Sequence, residues 1–150
     1  MALKQLQLLV QVQKEKEDKL QANFVQAQQF LQTCIERYQG LADYRTDYIR
    51  QTQLRGQQGL ASRQFNQYLS FVTKLDQALE QQNLQIQQAQ RVVDMRRSAW
   101  LTMQKRRKAI ELLIDKELTA VQQRQNRQEQ KMLDEIAMQQ FVRAQLAQVS

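Results

Sequence analysis

The sequence has no proline and only three glycines among 150 residues. Proline and glycine supply most turns and loop boundaries, so their scarcity excludes a fold built from many short elements. Glutamine is abundant instead, with 33 copies, and glutamine is a good helix former. The composition therefore predicts an all-α chain made of a few long helices around a thin core.

Histidine is absent as well, and Cys34 is the single cysteine. The commonest side chain for acid–base work and metal binding is therefore missing. The sequence has no glycine-rich phosphate loop, no paired acidic residues, and no serine or cysteine with a base partner. We expect no enzymatic activity, no cofactor and no metal site, with Cys34 packed as a small apolar side chain.

Long apolar runs are also missing from the sequence. Near the first position, Lys4, Gln5 and Gln7 interrupt the apolar residues. We therefore expect neither a signal peptide nor a membrane-spanning helix. A lone cysteine excludes an intramolecular disulfide and favours a reducing compartment. The net charge of +7 favours acidic partners.

The few helix-breaking residues are concentrated in one stretch, where Gly56 and Gly59 precede Ser62. Glycine tolerates the left-handed backbone that ends a helix, and serine can cap the next one. We predict one coiled-coil domain over 1–150, with helices over about 3–55 and 62–147 and a turn at 56–61. With the turn centred near residue 58 or 59, residue i should face roughly residue 117 − i.

Apolar residues recur at alternating intervals of three and four on both sides of this turn. In the first helix the positions are Leu3, Leu6, Val10, Gln13, Glu17, Leu20, Phe24, Ala27, Leu31, Cys34, Tyr38, Leu41, Arg45 and Tyr48. In the second they are Phe65, Tyr68, Val72, Leu75, Leu79, Gln82, Ile86, Ala89, Val93, Arg96, Trp100, Met103, Arg107, Ile110, Ile114, Glu117 and Val121. This spacing is the a and d pattern of a coiled coil.

The two patterns together predict a long antiparallel two-helix coiled-coil hairpin. The second helix should be longer, overhanging the first beyond about residue 117, with a weaker apolar set near its end. Two chains pairing with each other would satisfy the same heptads, but the short turn favours pairing within one chain.

Two groups of residues are candidates for partner binding. Tyr44 and Phe71 flank the heptad seam near the turn, so part of each ring should be exposed and suited to an interface. Residues 91–131 carry eleven Lys or Arg and five acids, which suits an acidic surface. The densest basic positions, with the next lysine along the helix, are Lys105, Arg106, Arg107, Lys108 and Lys116.

Three segments resemble FliJ, the coiled-coil component of the bacterial flagellar type III export apparatus. They are YRTDY at 44–48, GLAS at 59–62 and YLSFVTKLDQALEQQ at 68–82. The resemblance implies a cytoplasmic antiparallel coiled coil, peripherally associated with the inner membrane at the flagellar base. Its implied partners are the hexameric export ATPase, the cytoplasmic domain of the export-gate membrane protein and empty export chaperones, with no small-molecule ligand.

The resemblance also implies a face that binds the export gate. Its residues in this chain are Leu41, Tyr44, Tyr48, Phe71, Leu75, Ala78 and Gln82. Phe71 and Leu75, one helical turn apart, would be its apolar anchors. The family pattern has glutamine at the position of Arg37 and often histidine at the position of Gln82. The basic positions from Lys105 to Lys116 would contact the ATPase ring.

Two other functions compete with the export adaptor. One is a nucleic-acid-binding coiled coil that uses the basic face of residues 91–131. Trp100, Met103 and Ile110 pass through that block as part of the seam, which argues against a basic-region zipper. The other is the related stalk protein of a virulence secretion system.

Overall fold

The computed structural model describes residues 2–56, 59 and 61–149. Helix α1 spans Ala2–Gly56 and helix α2 spans Ser62–Val149, and the two pack against each other as a hairpin. No strand occurs in the described part of the chain. The all-α two-helix fold class expected from the sequence is confirmed, and α2 is the longer helix, with 88 residues against 55.

The heptad positions of the sequence are the covered positions of both helices. Each α1 position from Leu3 to Tyr48 in that pattern is buried or half-buried. The same holds on α2 from Tyr68 to Val121, whereas Phe65 is 49% exposed. A seam this narrow gives the thin core that the composition predicts. Its buried apolar residues are Phe24, Ala27, Cys34, Leu75, Ala89 and Val93, of which Cys34 is fully buried.

Gly59 carries the special backbone conformation of the turn, with φ of 91°. Its N–H donates to the carbonyl oxygen of Gly56 at 3.1 Å, while Gly56 itself is the last residue of α1. The N–H of Phe65 donates to the carbonyl oxygen of Ala61 at 3.1 Å. Ala61 therefore occupies the capping position, and the expectation that Ser62 caps α2 is wrong, because Ser62 is the first helical residue. The turn residues 57, 58 and 60 lie outside the described residues.

The chain forms two compact units. We call Lys16–Met103, which contains the turn, the hairpin unit, and Met1–Glu15 with Gln104–Ser150 the terminal unit. Neither helix has, in its described part, a stretch long and apolar enough to cross a membrane.

The core of the hairpin unit is centred on Phe24. Its ring stacks on Trp100 with centroids 5.5 Å apart and packs with Ala27 and Val93. Burying a side chain of this size contributes about 1.5–3 kcal/mol. The guanidinium carbon of Arg97 lies over the Phe24 ring, 5.3 Å from its centre. Contact between Phe24 and Val93 is the pairing expected for a turn centred near residue 58.

Polar contacts between the helices support the same alignment. Arg45 donates from Nε to Oδ1 of Asp76 across the hairpin. Arg96 donates from Nη1 to the backbone oxygen of Asn23 at 3.0 Å. Each joins residues close to the pairing that the seam requires, so sliding one helix along the other by a heptad breaks both contacts.

In the terminal unit the covered positions of α2 end at Val121. Every described residue from 122 to 149 is exposed. The change falls where the heptad pattern of the sequence lapses, since Arg124 and Gln128 replace apolar residues at the next seam positions.

Candidate partner-binding surfaces

Five aromatic rings next to the turn form one connected group, which we call the aromatic cluster: Tyr44, Tyr48, Phe65, Tyr68 and Phe71. Tyr48 is at its centre, with ring centroids 4.6 Å from Phe71 and 5.7 Å from Tyr68. Contacts between ring pairs of this kind contribute about 0.5–1.5 kcal/mol each beyond burial. The cluster therefore stabilises the hairpin near its turn and also holds its outer rings in place.

Tyr44 is the outermost ring at the α1 side of the cluster, and 52% of the residue is exposed. Its centroid lies 6.3 Å from Phe71 in an edge-on arrangement and 6.5 Å from Tyr48. An exposed ring that its neighbours already position loses little conformational entropy when a partner covers it. Tyrosine is also among the residues enriched in binding hot spots.

Phe71 lies off the seam and is half-buried, so part of the residue is exposed and part is covered by the chain itself. The physical reason is Tyr48, whose ring reaches from the seam of α1 across the flank of α2 and packs on Phe71 at 4.6 Å. Heptad spacing alone does not reveal this contact. Phe71 therefore has a structural role in addition to any role in binding.

The seven residues implied for gate binding differ in accessibility. Leu41, Tyr48, Phe71, Ala78 and Gln82 are half-buried, and Tyr44 is exposed. Leu75 is only 7% exposed, so it supports the surface from beneath and presents little of itself as an apolar anchor. The structure brings Tyr44, Tyr48 and Phe71 together in the aromatic cluster, and places Leu75 one helical turn from Phe71 in the seam.

A shallow cleft of about 770 Å³ lies beside Phe71 on the outer side of α2. Its lining residues are Ser62, Arg63, Asn66, Gln67, Ser70, Phe71 and Lys74. An apolar ring between two cationic side chains suits a peptide segment that carries both apolar and acidic residues.

The basic residues predicted to contact the ATPase ring lie in the terminal unit. Lys105, Arg106, Lys108 and Lys116 are exposed, as a docking role requires. Arg107 differs from them, because its side chain is 17% exposed and donates from Nη1 to Oε1 of Glu111 at 2.7 Å. Arg107 is thus a seam residue whose charge is used within the chain.

The exposed segment 122–149 carries large apolar side chains that the chain itself leaves uncovered. Met132, Leu133, Ile136, Phe141 and Leu146 are each between 47% and 64% exposed. Most helices in proteins are stabilised by packing of an apolar face, so exposed apolar surface on this segment favours a partner.

Sequence reasoning missed two contributions to this region. Thr52 extends the α1 seam by one position, half-buried and donating its hydroxyl to the Tyr48 carbonyl at 2.8 Å. The ion pair between Arg45 and Asp76 was also missed. Both contacts could have been predicted from the sequence. Thr52 follows Tyr48 by four residues, which is one helical turn. Arg45 and Asp76 carry opposite charges and lie close to the expected register of the two helices.

Cys34 is fully buried within the seam, which agrees with its expected packing role. Within the described ranges, no group of three or more cysteine and acidic side chains is arranged to hold a metal ion.

Comparison with known proteins assigns the chain to a family. The family model described as flagellar FliJ protein matches residues 2–146. A protein of Salmonella typhi named flagellar FliJ protein is 31% identical over 106 residues, which cover 71% of this chain and 72% of that protein. A protein of the same name from Escherichia coli K12 is 28% identical over 106 residues, with the same shares covered. No solved structure matches the chain.

Proposed function

Because this chain belongs to the FliJ family of flagellar proteins, we propose that it is a non-enzymatic adaptor and stalk of the flagellar protein export apparatus. The observation that carries the proposal is the family match over 2–146, nearly the whole chain. In this role the protein binds the hexameric export ATPase and the cytoplasmic domain of the export-gate membrane protein, and it cycles export chaperones. It acts in the cytoplasm at the inner membrane.

The aromatic cluster is the proposed surface for the export gate. Tyr44 supplies an exposed and already positioned ring, and Phe71 borders the cleft between Arg63 and Lys74. An aromatic centre with a charged rim is the usual composition of a specific protein interface.

The terminal unit supplies the proposed surface for the ATPase ring. Its exposed cations at Lys105, Arg106, Lys108 and Lys116 favour an acidic ring lining, and they accelerate association by electrostatic steering. The exposed segment 122–149 adds apolar contact area. The protein performs no bond chemistry in this role and links two partners by binding each of them.

Binding of the two partners by separate groups of residues is the direct test. Tyr44→Ala should weaken the complex with the gate domain roughly tenfold or more and leave the ATPase complex intact. Lys105→Ala with Lys108→Ala should do the reverse. Leu54→Ala, a substitution at an exposed residue near the end of α1, is the matched control and should change neither complex. Titrations of each variant with the purified partners measure these effects. Motility is measured in a strain that lacks the protein and is supplied with each variant in turn.

Nucleic-acid binding through residues 91–131 is the alternative that the local basic excess supports. It predicts DNA or RNA affinity that falls steeply with added salt and that Lys105→Ala with Lys108→Ala reduces. Specific DNA or RNA binding combined with no complex with an export ATPase contradicts the adaptor role. A virulence-type export ATPase as the preferred partner would place the chain in the related secretion system instead.

A further inference from the structure

Phe30 lies off the heptad seam, and 56% of the residue is exposed. It borders a cleft of about 400 Å³ between the helices of the hairpin unit. The lining residues are Gln26, Ala27, Phe30, Ala89, Val92 and Arg96. Phe30 belongs neither to the seam nor to the aromatic cluster, and it is not among the residues proposed for gate or ATPase binding.

Residues three or four positions apart on each helix continue the surface on both sides of this cleft. We call this longer surface the Phe30 flank. Its α1 stripe is Lys19, Asn23, Gln26, Phe30, Thr33 and Arg37. Its α2 stripe is Gln81, Gln85, Gln88, Val92, Met95 and Ala99. Each stripe advances about 27 Å along its helix, which is five helical turns. The surface therefore has the length of one additional helix.

Apolar residues occupy the middle of the Phe30 flank. Met95 is 65% exposed, and Val92 is half-buried beside the cleft. Two packed helices leave a groove on each side of their seam, and ridges of a third helix can fill such a groove at 8–10 Å between axes. The centre of the flank thus offers a place for large apolar side chains of a third helix.

Charge on the Phe30 flank has one sign. Lys19 and Arg37 are exposed near its two ends, and neither stripe contains an acidic residue. Arg96 lines the cleft, where its hydrogen bond to the backbone oxygen of Asn23 fixes a third cation at the rim. The chain carries a net charge of +7, so a second copy is repelled and an acidic partner is attracted.

We propose that the Phe30 flank docks an acidic amphipathic helix of a partner protein. A large apolar side chain of that helix enters the cleft beside Phe30 and Val92, and its neighbours one turn away cover Met95. Carboxylates along the edges of the helix face Lys19 and Arg37. This mode of recognition combines a helix in an apolar groove with charges that set its orientation.

A selection with helical peptides tests both parts of the proposal. A display library of helical peptides of about 20 residues, with randomised exposed positions, is selected for binding to the full chain. We expect the enriched peptides to carry an apolar stripe bordered by glutamate and aspartate. Their affinity is then measured by fluorescence anisotropy with the parent chain and its variants.

Phe30→Gln removes the apolar contact and keeps a good helix former, so the enriched peptides should bind it at least ~tenfold more weakly. Arg37→Glu should also weaken binding and reduce the dependence of affinity on salt. Ile35→Gln is the matched control: the residue is 40% exposed and lies about 140° around the helix from Phe30. It should leave affinity unchanged, and all three variants should keep the parent's helicity.

Three results would overturn the proposal. The first is enrichment of peptides without an acidic excess. The second is equal binding of the enriched peptides to the parent and to Phe30→Gln. The third is Phe30-dependent binding to anionic lipid vesicles or to a second copy of the chain, with no Phe30-dependent peptide binding.

Discussion

At the scale of single residues, Gly40 and Gly59 have opposite conformational requirements. A Cβ at Gly40 meets nothing within 4 Å inside α1, whereas Gly59 has φ of +91°. Gly40→Ala should therefore stabilise the fold by about 0.5–1 kcal/mol, because alanine loses less backbone entropy in a helix. Gly59→Ala should destabilise it by roughly 1–2 kcal/mol. Urea unfolding of both variants measures these changes, and equal shifts of one sign would contradict the turn geometry.

Phe71 tests how far one ring serves both the fold and a partner. The ring is half-buried against Tyr48, so Phe71→Ala should cost about 1–2 kcal/mol, less than the roughly 3–5 kcal/mol of a fully buried phenylalanine. Affinity for the gate domain should fall by ~tenfold or more in the same variant. Leu69→Ala, at an exposed residue close by, is the control for both measurements. If Phe71→Ala is less stable but binds the gate domain with normal affinity, the ring has a structural role only.

Gln82 is a seam residue whose polar end is poorly satisfied. Its Oε1 is buried and accepts no hydrogen bond from any described residue. A buried oxygen of this kind costs about 1–3 kcal/mol, so Gln82→Leu should raise the melting temperature. Thermal unfolding followed by circular dichroism measures the change. A lower melting temperature would show that the amide makes a contact worth more than the apolar side chain that replaces it.

At the scale of elements, the segment 122–149 should be dispensable for the stability of the rest. Every residue in it is exposed, so ending the chain at Val121 removes little buried surface. The melting temperature of the shortened chain should stay within about 2–4 °C of the parent, the shift expected from one kcal/mol. The helical ellipticity per chain, measured by circular dichroism, should fall roughly in proportion to the number of residues removed. A much lower melting temperature would mean that the segment packs as part of the core.

The shortened chain should also bind the export ATPase more weakly. Ending the chain at Val121 takes away the exposed apolar residues while keeping Lys105, Lys108 and Lys116. A weaker complex in the shortened chain, with gate binding unchanged, separates the contribution of the segment from that of the cations. An ATPase complex of unchanged affinity would leave the basic residues as the main contact.

Heptad spacing predicts which residues of each helix are covered because one geometric repeat decides it. The site of the turn is predicted by Gly56 and Gly59, whereas the heptad spacing predicts the seam from Leu3 to Val121. It does not predict side-chain contacts across the seam. Tyr48 covers Phe71 from the opposite helix, and the first hydrogen bond of α2 goes to the Ala61 carbonyl. Phe65, next to the turn, is 49% exposed although it fits the heptad.

The sequence predicts where the aromatic cluster lies, but it does not predict how the side chains of the candidate binding surfaces are arranged. Two aromatic residues off the seam at matching distances from the turn indicate the aromatic cluster. Spacing predicts the burial of Leu75 beneath the cluster, but the order of the rings depends on rotamers that spacing does not fix. The Phe30 flank needed both helices in place, because its two stripes are more than forty residues apart in sequence.

At the scale of the whole molecule, pairing within one chain is the property on which the proposed binding surfaces of the hairpin unit depend. Phe24 packs on Val93, and both neighbours one heptad further toward the turn, Leu31 and Ile86, are half-buried. Cysteines at these two positions, in a Cys34→Ala background that removes the competing thiol, should therefore lie close enough for a disulfide. Oxidation should give a cross-linked monomer at every protein concentration.

A second cysteine pair is the control for that cross-link. Leu31→Cys with Val72→Cys moves one partner fourteen residues along α2, about 21 Å away from Ile86, and should give no cross-linked monomer. Non-reducing electrophoresis and light scattering distinguish the products. Disulfide-linked dimers from the first pair, increasing with concentration and without cross-linked monomer, would show that two chains share the seam. In that arrangement the aromatic cluster and the Phe30 flank would each be assembled from two molecules, and the charge repulsion between copies would have to be overcome by the seam itself.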